Sequence, residues 1–255
     1  MKRVVFITGG SSGLGLEISR HLARTNFRVY AGFRNKKPLA VVGISFIKID
    51  VTRDSDCHGA VKKIVDAEGR IDVLINNAGQ GVSGPFEKFT ARDFLNLVDV
   101  NAVGAFRLAK EVLPQMKSQN SGLIINITSL NGLVSFPGFA IYSASKFAAE
   151  AFGKALYYEL QKFGIKVINL APGAIYDPEA SYVGHKPARE KFAFLKFLLP
   201  MITREQVAEA VLKLINKESP PSQVSLGRDA KLIGFINRII PNALWNKIML
   251  FIWNK

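Results

Sequence analysis

Cysteine is almost missing from this chain. Cys57 stands alone, so no internal disulfide can form, and a reducing compartment such as the cytoplasm is expected. Histidine is nearly as scarce, and His21, His58 and His185 show no metal-ligand spacing, which leaves no expectation of a metal site. Low-complexity runs and internal repeats are also lacking, and the 21 glycines and 11 prolines are scattered, so disordered and solenoid architectures drop out. The apolar run at the N-terminus, Val4 to Ile7, is far shorter than the ~7 to 15 residues of a signal-peptide core and runs straight into glycines, so it reads as a strand. Acidic residues are outnumbered, 20 against 34 Lys and Arg, giving a formal charge of +14. Such an excess favours association with phosphate, nucleic acid or an anionic membrane, yet no zinc-finger or recognition-helix pattern points to specific reading of nucleic acid.

What is present is ample core material. Hydrophobic residues make up 48% of 255, no linker divides them, and strands alternate with helices throughout. That alternation predicts an α/β protein with a doubly wound parallel sheet covered on both faces, in one domain of residues 1–228 with an apolar extension at 229–255. Residues 3 to 8 predict a strand that ends at Thr8-Gly9-Gly10-Ser11-Ser12-Gly13-Leu14-Gly15, followed by Leu16, Ile18 and Leu22 at helical spacing. A glycine turn between strand and helix lets backbone N–H groups approach a pyrophosphate. The spacing is G-x-x-x-G-x-G, so the commoner G-x-G-x-x-G is not matched literally.

A second strand, Phe27 to Phe33, delivers Arg34, with Lys36 and Lys37 beyond it. An acid at this place would bind the ribose hydroxyls of NAD, whereas an Arg accommodates the extra phosphate of NADP, so NADP(H) is expected. The strand Ile44 to Ile49 delivers Asp50 and Val51. Asp50 can accept from an adenine amino group or cap the following helix, which spans Cys57 to Ala67. Ile71 to Ile75 runs into Asn76-Asn77-Ala78-Gly79, a pair of amides suited to supporting the sheet beside a cofactor. Phe94, Leu97, Val98, Phe106 and Leu113 predict one long helix between Thr90 and Lys117, with Asn101 inside it. The strand Leu123 to Ile127 ends at Thr128-Ser129, and Ser129 precedes Tyr142 by thirteen residues.

Tyr142-Ser-Ala-Ser-Lys146 is the candidate for chemistry. Residues four apart share one helix face, and an ammonium beside a phenol favours the phenolate, making the proton available nearer neutral pH. An ordinary amphipathic pair has the same spacing, so the surroundings decide. After the strand Lys166 to Leu170 come Pro172-Gly173 and a long segment, about 174–203, that reads as a lid with Phe192, Phe194, Leu195, Phe197, Leu198 and Leu199. A helix at Glu205 to Asn216 and a strand at Gln223 to Leu226 complete the sheet. The basic, apolar C-terminal tail from Lys231 is interrupted by Pro241, and its Asn242 to Trp253 stretch is shorter than the ~20 residues a bilayer span needs. It can lie on a membrane surface, line a substrate pocket or pack against a partner subunit.

Together the glycine turn, Asn76-Asn-Ala-Gly79, Asn101, Ser129, Tyr142-x-x-x-Lys146 and Pro172-Gly173 resemble the short-chain dehydrogenase/reductase family, closest in character to its retinol and steroid dehydrogenase branch. The resemblance covers roughly residues 2–228. It implies a Rossmann fold and a homodimeric or homotetrameric oxidoreductase. Tyr142 would be the general acid or base, Lys146 would bind the nicotinamide ribose and lower the Tyr142 pKa, Ser129 would hold the substrate oxygen, and Asn101 would fix a water leading from Lys146 to solvent. The cofactor would lie along Gly9, Ser11, Ser12, Gly13, Leu14, Gly15, Arg34, Asp50, Val51, Asn77, Ala78, Gly79, Tyr142, Lys146, Pro172 and Gly173. One departure is Asp177, where members commonly have Thr against the nicotinamide carboxamide. The apolar lid and tail imply a hydrophobic aldehyde, ketone, retinoid or steroid-like substrate. Reduction of a carrier-bound 3-oxoacyl chain is the competitor, since +14 suits an acidic carrier, and a non-catalytic nucleotide-sensing regulator is disfavoured by the intact Asn, Ser, Tyr and Lys set.

Overall fold

The computed structural model describes residues 2–35, 38–176 and 200–254, with the backbone of Val183–Gly184. Three strands begin the chain, β1 (Arg3–Ile7), β2 (Phe27–Phe33) and β3 (Ile44–Lys48), with α1 (Gly13–Ala23) crossing between the first two. After α2 (Asp54–Glu68) comes β4 (Val73–Asn76), and then a short β5 (Val82–Ser83). Helices α3 (Ala91–Val98) and α4 (Gly104–Ser118) lead to β6 (Gly122–Ile127), and α5 (Ala140–Leu160) to β7 (Ile165–Pro172). The last elements are β8 (Val183–Gly184), α6 (Arg204–Ile215), β9 (Gln223–Leu226), α7 (Arg228–Ile239) and α8 (Asn242–Asn254).

The main sheet runs β3-β2-β1-β4-β6-β7-β9, parallel throughout, and β5 pairs with β8 apart from it. Strand residues point alternately to two faces, and each face is filled. Val4, Phe6, Leu74, Ile124 and Val167 pack with Ile64, Leu108 and Val112 from α2 and α4. Their neighbours Val5, Ile7, Val73, Ile75 and Ile168 pack with Ile18, Leu22, Val207 and Val211 from α1 and α6. Strand order reverses between β1 and β4, so the loops leaving these two strands diverge and open a crevice at their carboxyl ends. Every predicted site residue on a strand end therefore faces one rim.

Two expectations are corrected. The helix between Thr90 and Lys117 is not one regular α-helix: Asp99–Val103, containing Asn101, forms a π-turn between α3 and α4. A π-turn widens the hydrogen-bond register by one residue, a change that side-chain periodicity does not encode. Asp50 does not cap α2, whose N-cap is Arg53 without a side-chain bond. Its Oδ1 instead accepts from the N–H (3.0 Å) and Oγ1 (2.8 Å) of Thr52 in a tight turn. Lys36, Lys37, Asp177 and the apolar lid residues Phe192 to Leu199 lie outside the described residues. Among the described residues no helix is long and apolar enough to cross a membrane, and no group of acidic, His or Cys side chains could hold a metal ion. Cys57 is buried, and desolvation pushes its thiol up to about 12, so it is a packing residue rather than a reactive one.

Candidate active site

The glycine turn after β1 is held open by close approach. Gly9 has φ +61, and Gly13, the first residue of α1, has φ +51, conformations that a side chain would strain. A Cβ on Gly15 would lie 2.1 Å from the Gly9 carbonyl oxygen and 2.4 Å from Asn77 Nδ2, so only glycine fits there. Asn77 donates from Nδ2 to the carbonyls of Thr8 (3.0 Å) and Gly9 (3.2 Å), while Thr8 Oγ1 accepts from the N–H groups of Asn77 and Ala78, both at 3.0 Å. The two loops bordering the crevice are thus laced together. Helix α1 opens at Ser12 with no side-chain cap and no acid in its first turn, which leaves its N–H groups and positive end for an anion. These residues fit a dinucleotide pyrophosphate, because the missing Cβ atoms and the uncapped helix end lie together.

Arg34 sits at the exit of β2, beside Asp50 at the exit of β3. Burial opposes the Asp50 charge, but the Thr52 bonds and the nearby Arg34 and Arg53 guanidinium groups together hold its carboxyl below the usual range. An arginine therefore stands at this end of the crevice beside a carboxylate locked in its own turn.

At the other end α5 brings the candidate catalytic residues to the sheet. Lys146 is buried and donates from Nζ to the Ile127 carbonyl at the end of β6 (3.1 Å). Ser143 Oγ donates to Asn131 Oδ1 (3.2 Å), two residues past Ser129. These bonds fasten the first turns of α5 over the exit of β6, so Tyr142, Lys146 and Ser129 share one corner. Lys146 Nζ lies 6.0 Å from the centre of the Tyr142 ring. Ser129 is extended at φ −172, and its Oγ accepts from Asn131 N–H (3.1 Å), leaving the hydroxyl hydrogen able to donate. Asn101 spends its side chain on structure. Its Oδ1 accepts from Gln80 N–H (2.7 Å), and its Nδ2 donates to the Gln80 carbonyl and to Ser145 Oγ, both at 2.9 Å. A Cβ on Gly79 would lie 3.1 Å from Asn101 Oδ1 and 3.6 Å from Lys146 Nζ, so Asn101, Gly79 and Lys146 converge on one point.

Burial is the main perturbation of Lys146: desolvation brings its amine down to about 8, opposed by the attraction of Glu150 one turn on. Glu150 is buried as well, and desolvation raises its carboxyl against the pull of Thr128, Asn169, Lys154 and Gln223. It ends a row of amides across the sheet: Asn76 Nδ2 donates to Asn126 Oδ1 (2.9 Å), Asn126 Nδ2 to Asn169 Oδ1 (3.0 Å), and Asn169 Nδ2 to Glu150 Oε2 (2.9 Å). Sequence reasoning gave Asn76 an architectural role but missed Asn126, Asn169 and Glu150. The available signal was an Asn in each of three apolar strands.

Pro172–Gly173 close β7, and Ala174 N–H donates to Asp229 Oδ2 on α7 (2.6 Å). Asp229 is buried against Gly173 and was also missed. Ile175 bridges Ile202 through the Tyr176 N–H to Ile202 carbonyl bond (2.8 Å) and the Ile202 N–H to Ala174 carbonyl bond (3.0 Å), which brings the chain on either side of the long segment together.

A family model described as short chain dehydrogenase matches residues 3–186. The chain belongs to the short-chain dehydrogenase family. As a short-chain dehydrogenase it is an oxidoreductase that moves hydride between a dinucleotide and a carbon bearing oxygen. Among curated relatives of this dehydrogenase, 3-ketodihydrosphingosine reductase of Bacteroides thetaiotaomicron is 32% identical over 88% of each chain. NADPH-dependent 1-acyldihydroxyacetone phosphate reductase of Saccharomyces cerevisiae is 30% identical over 96% of this chain and 89% of its own. Among solved structures, ElxO with NADP bound superposes at a TM-score of 0.79 with 26% identity, covering 91% of this short-chain dehydrogenase and all (100%) of ElxO.

Proposed function

We propose that this enzyme interconverts a hydrophobic ketone or aldehyde and its alcohol with NADP(H), and that Tyr142 exchanges the proton. The observation that carries the reading is the corner where Lys146 Nζ, fixed to Ile127, lies beside Tyr142 and the exit of β6 that bears Ser129. The cofactor supplies or accepts the hydride. Gly9 and Ser11 to Gly15 would hold its pyrophosphate, Arg34 its adenosine phosphate, and Asp50 and Val51 its adenine. Asn77 to Gly79, Tyr142 and Lys146 would border the nicotinamide riboside, with Pro172 and Gly173 against the ring. As negative charge grows on the substrate oxygen, hydroxyl donors from Tyr142 and Ser129 stabilise it, and the protonated Lys146 lowers the cost of the Tyr142 phenolate. Asn101 contributes by fixing the Gly79–Gln80 loop beside Lys146, along which a water path to solvent would run.

Relatives named as reductases of a 3-keto compound and of a 1-acyl ketone phosphate support a hydrophobic carbonyl substrate. The +14 charge favours the second reading, a 3-oxoacyl chain on an acidic carrier. Residues 1–228 form the catalytic unit in this proposal, 174–203 cover the substrate side, and 229–255 are appended. A cytoplasmic homodimer or homotetramer fits the exposed Phe106 and Phe147 on α4 and α5, and peripheral membrane contact fits the apolar tail. For the chemistry the test is Tyr142→Phe. Turnover of a carbonyl panel should fall by roughly two to four orders of magnitude, while NADPH binding by fluorescence titration stays near that of the parent. Undiminished turnover would remove Tyr142 from its role.

A further inference from the structure

Helices α7 and α8 have two unlike faces. The inner side seats Ala230, Ile233 and Trp245 on Leu130, Leu133, Val134 and Phe136, the segment that follows Ser129. The outer side presents Leu232, Phe235 and Ile239 from α7 and Leu244, Ile248 and Leu250 from α8, with Phe235 and Ile239 each 61% exposed. Positions 232, 235 and 239 share one stripe of a helix, as do 244 and 248. Cations border this face. Residues 228–254 contain Arg228, Lys231, Arg238 and Lys247 against a single acid, Asp229, which is buried and bonded to Ala174 N–H.

We propose that the outer face of α7 and α8 docks on an anionic lipid bilayer, lying in its interface. The helices have 12 and 13 residues, too short to span, but an amphipathic pair with apolar residues on one face and Lys and Arg beside them is suited to lying flat in the headgroup region. Charge chooses between lipid and a second copy of the chain. A two-fold contact would set each patch of cations against its own image, whereas anionic headgroups complement it. The same helices touch the site from within, at the Ser129 loop and through Asp229 at Ala174, so docking places the substrate side of the crevice next to the bilayer. That consequence rests on the proposed reductase reading; the docking itself does not.

The experiment is flotation of the full-length protein with phosphatidylcholine vesicles, with or without phosphatidylglycerol. The protein should float only with the anionic vesicles, and less as salt is raised. Lys231→Gln and Lys247→Gln should each lower the partition about fivefold, the share of one cation near a charged surface, and Phe235→Ser should lower it tenfold or more. Melting curves of each variant establish that it is folded, and Lys231→Gln reports even if Phe235→Ser fails to fold. No flotation, or flotation equal on phosphatidylcholine alone, overturns the proposal. So does a dimer in light scattering that Phe235→Ser converts to monomer without any vesicle binding, since a second copy then covers the face. NADPH turnover of a water-soluble aldehyde without vesicles is measured in parallel. If it is missing while flotation follows the pattern above, the reductase reading fails and the docking stands.

Discussion

A lysine enclosed in the protein loses its proton far more easily than one in water, and Lys146 carries that cost where the proposed chemistry takes place. Burial brings its amine down to about 8 in the folded chain, against 10.5 for an ordinary lysine. Between those values the unfolded chain still holds a proton that the folded chain has released, so raising the pH favours folding; below 8 both forms hold it and the cost of burying the charge is present in full. Its size is roughly 3 kcal/mol by the free energy of one pKa unit. Lys146→Met has no such charge. In urea unfolding of the cofactor-free proteins, the stability of the parent relative to Lys146→Met should be flat below pH 7 and climb between 8 and 10.5. A flat difference across that window would mean that the ammonium is not held in a dry site. The pairing of Tyr142 with Lys146 was legible from their spacing, but the depression of the lysine itself was not, because burial among Ile127, Gly79 and Glu150 depends on segments far apart in the chain.

Helix α5 shows how packing can reverse what a helix prefers. Replacing an interior glycine by alanine ordinarily gains up to about 1 kcal/mol in a helix. At Gly153 the new Cβ would lie 1.9 Å from Asn169 Oδ1 and 2.7 Å from Asn126 Nδ2, inside the amide row that ties β4, β6 and β7 to Glu150. Gly153→Ala should therefore destabilise by about 3 kcal/mol, from overpacking and buried hydrogen bonds forced apart. Gly59 in α2 has nothing within 4 Å of its would-be Cβ, and Gly59→Ala should stabilise by up to about 1 kcal/mol. Opposite signs from chemically identical substitutions, read from two melting curves, are the check. Elements of this kind were partly legible. The β2 and β9 limits expected from the short runs of strand-forming residues coincide with those observed, Phe27–Phe33 and Gln223–Leu226. Each of those runs ends at a change of residue type. The π-turn at Asp99–Val103 has no such marker, since it alters only which carbonyl each N–H reaches.

At the scale of the whole molecule, the appended helices contribute nothing to the two large cores, which draw on residues no later than Leu226. Their ties are to the rim of the crevice. Among the described residues these include the Trp245 and Ile233 packing beneath the Ser129 loop and the bond from Ala174 N–H to Asp229 Oδ2 (2.6 Å). The tail's apolar and basic character was readable from composition, whereas its contact with the Pro172–Gly173 loop was not, because Asp229 lies 55 residues from Ala174 and has no periodic signal. A chain ending at Gly227 should thus keep a cooperative unfolding transition, lose vesicle binding, and bind NADPH more weakly. Asp229→Ala in the full-length protein separates the two losses. It removes the acceptor for Ala174 N–H, a hydrogen bond to a carboxylate of about 1.5 to 3 kcal/mol, and keeps both helices, so the Kd for NADPH should rise by roughly tenfold while flotation on anionic vesicles is unchanged. If Asp229→Ala bound NADPH as well as the parent does while the truncated chain did not, the tail would act on the cofactor through its other contacts, such as the packing of Trp245 and Ile233 beneath the Ser129 loop, and the Ala174 tie would be one of packing only.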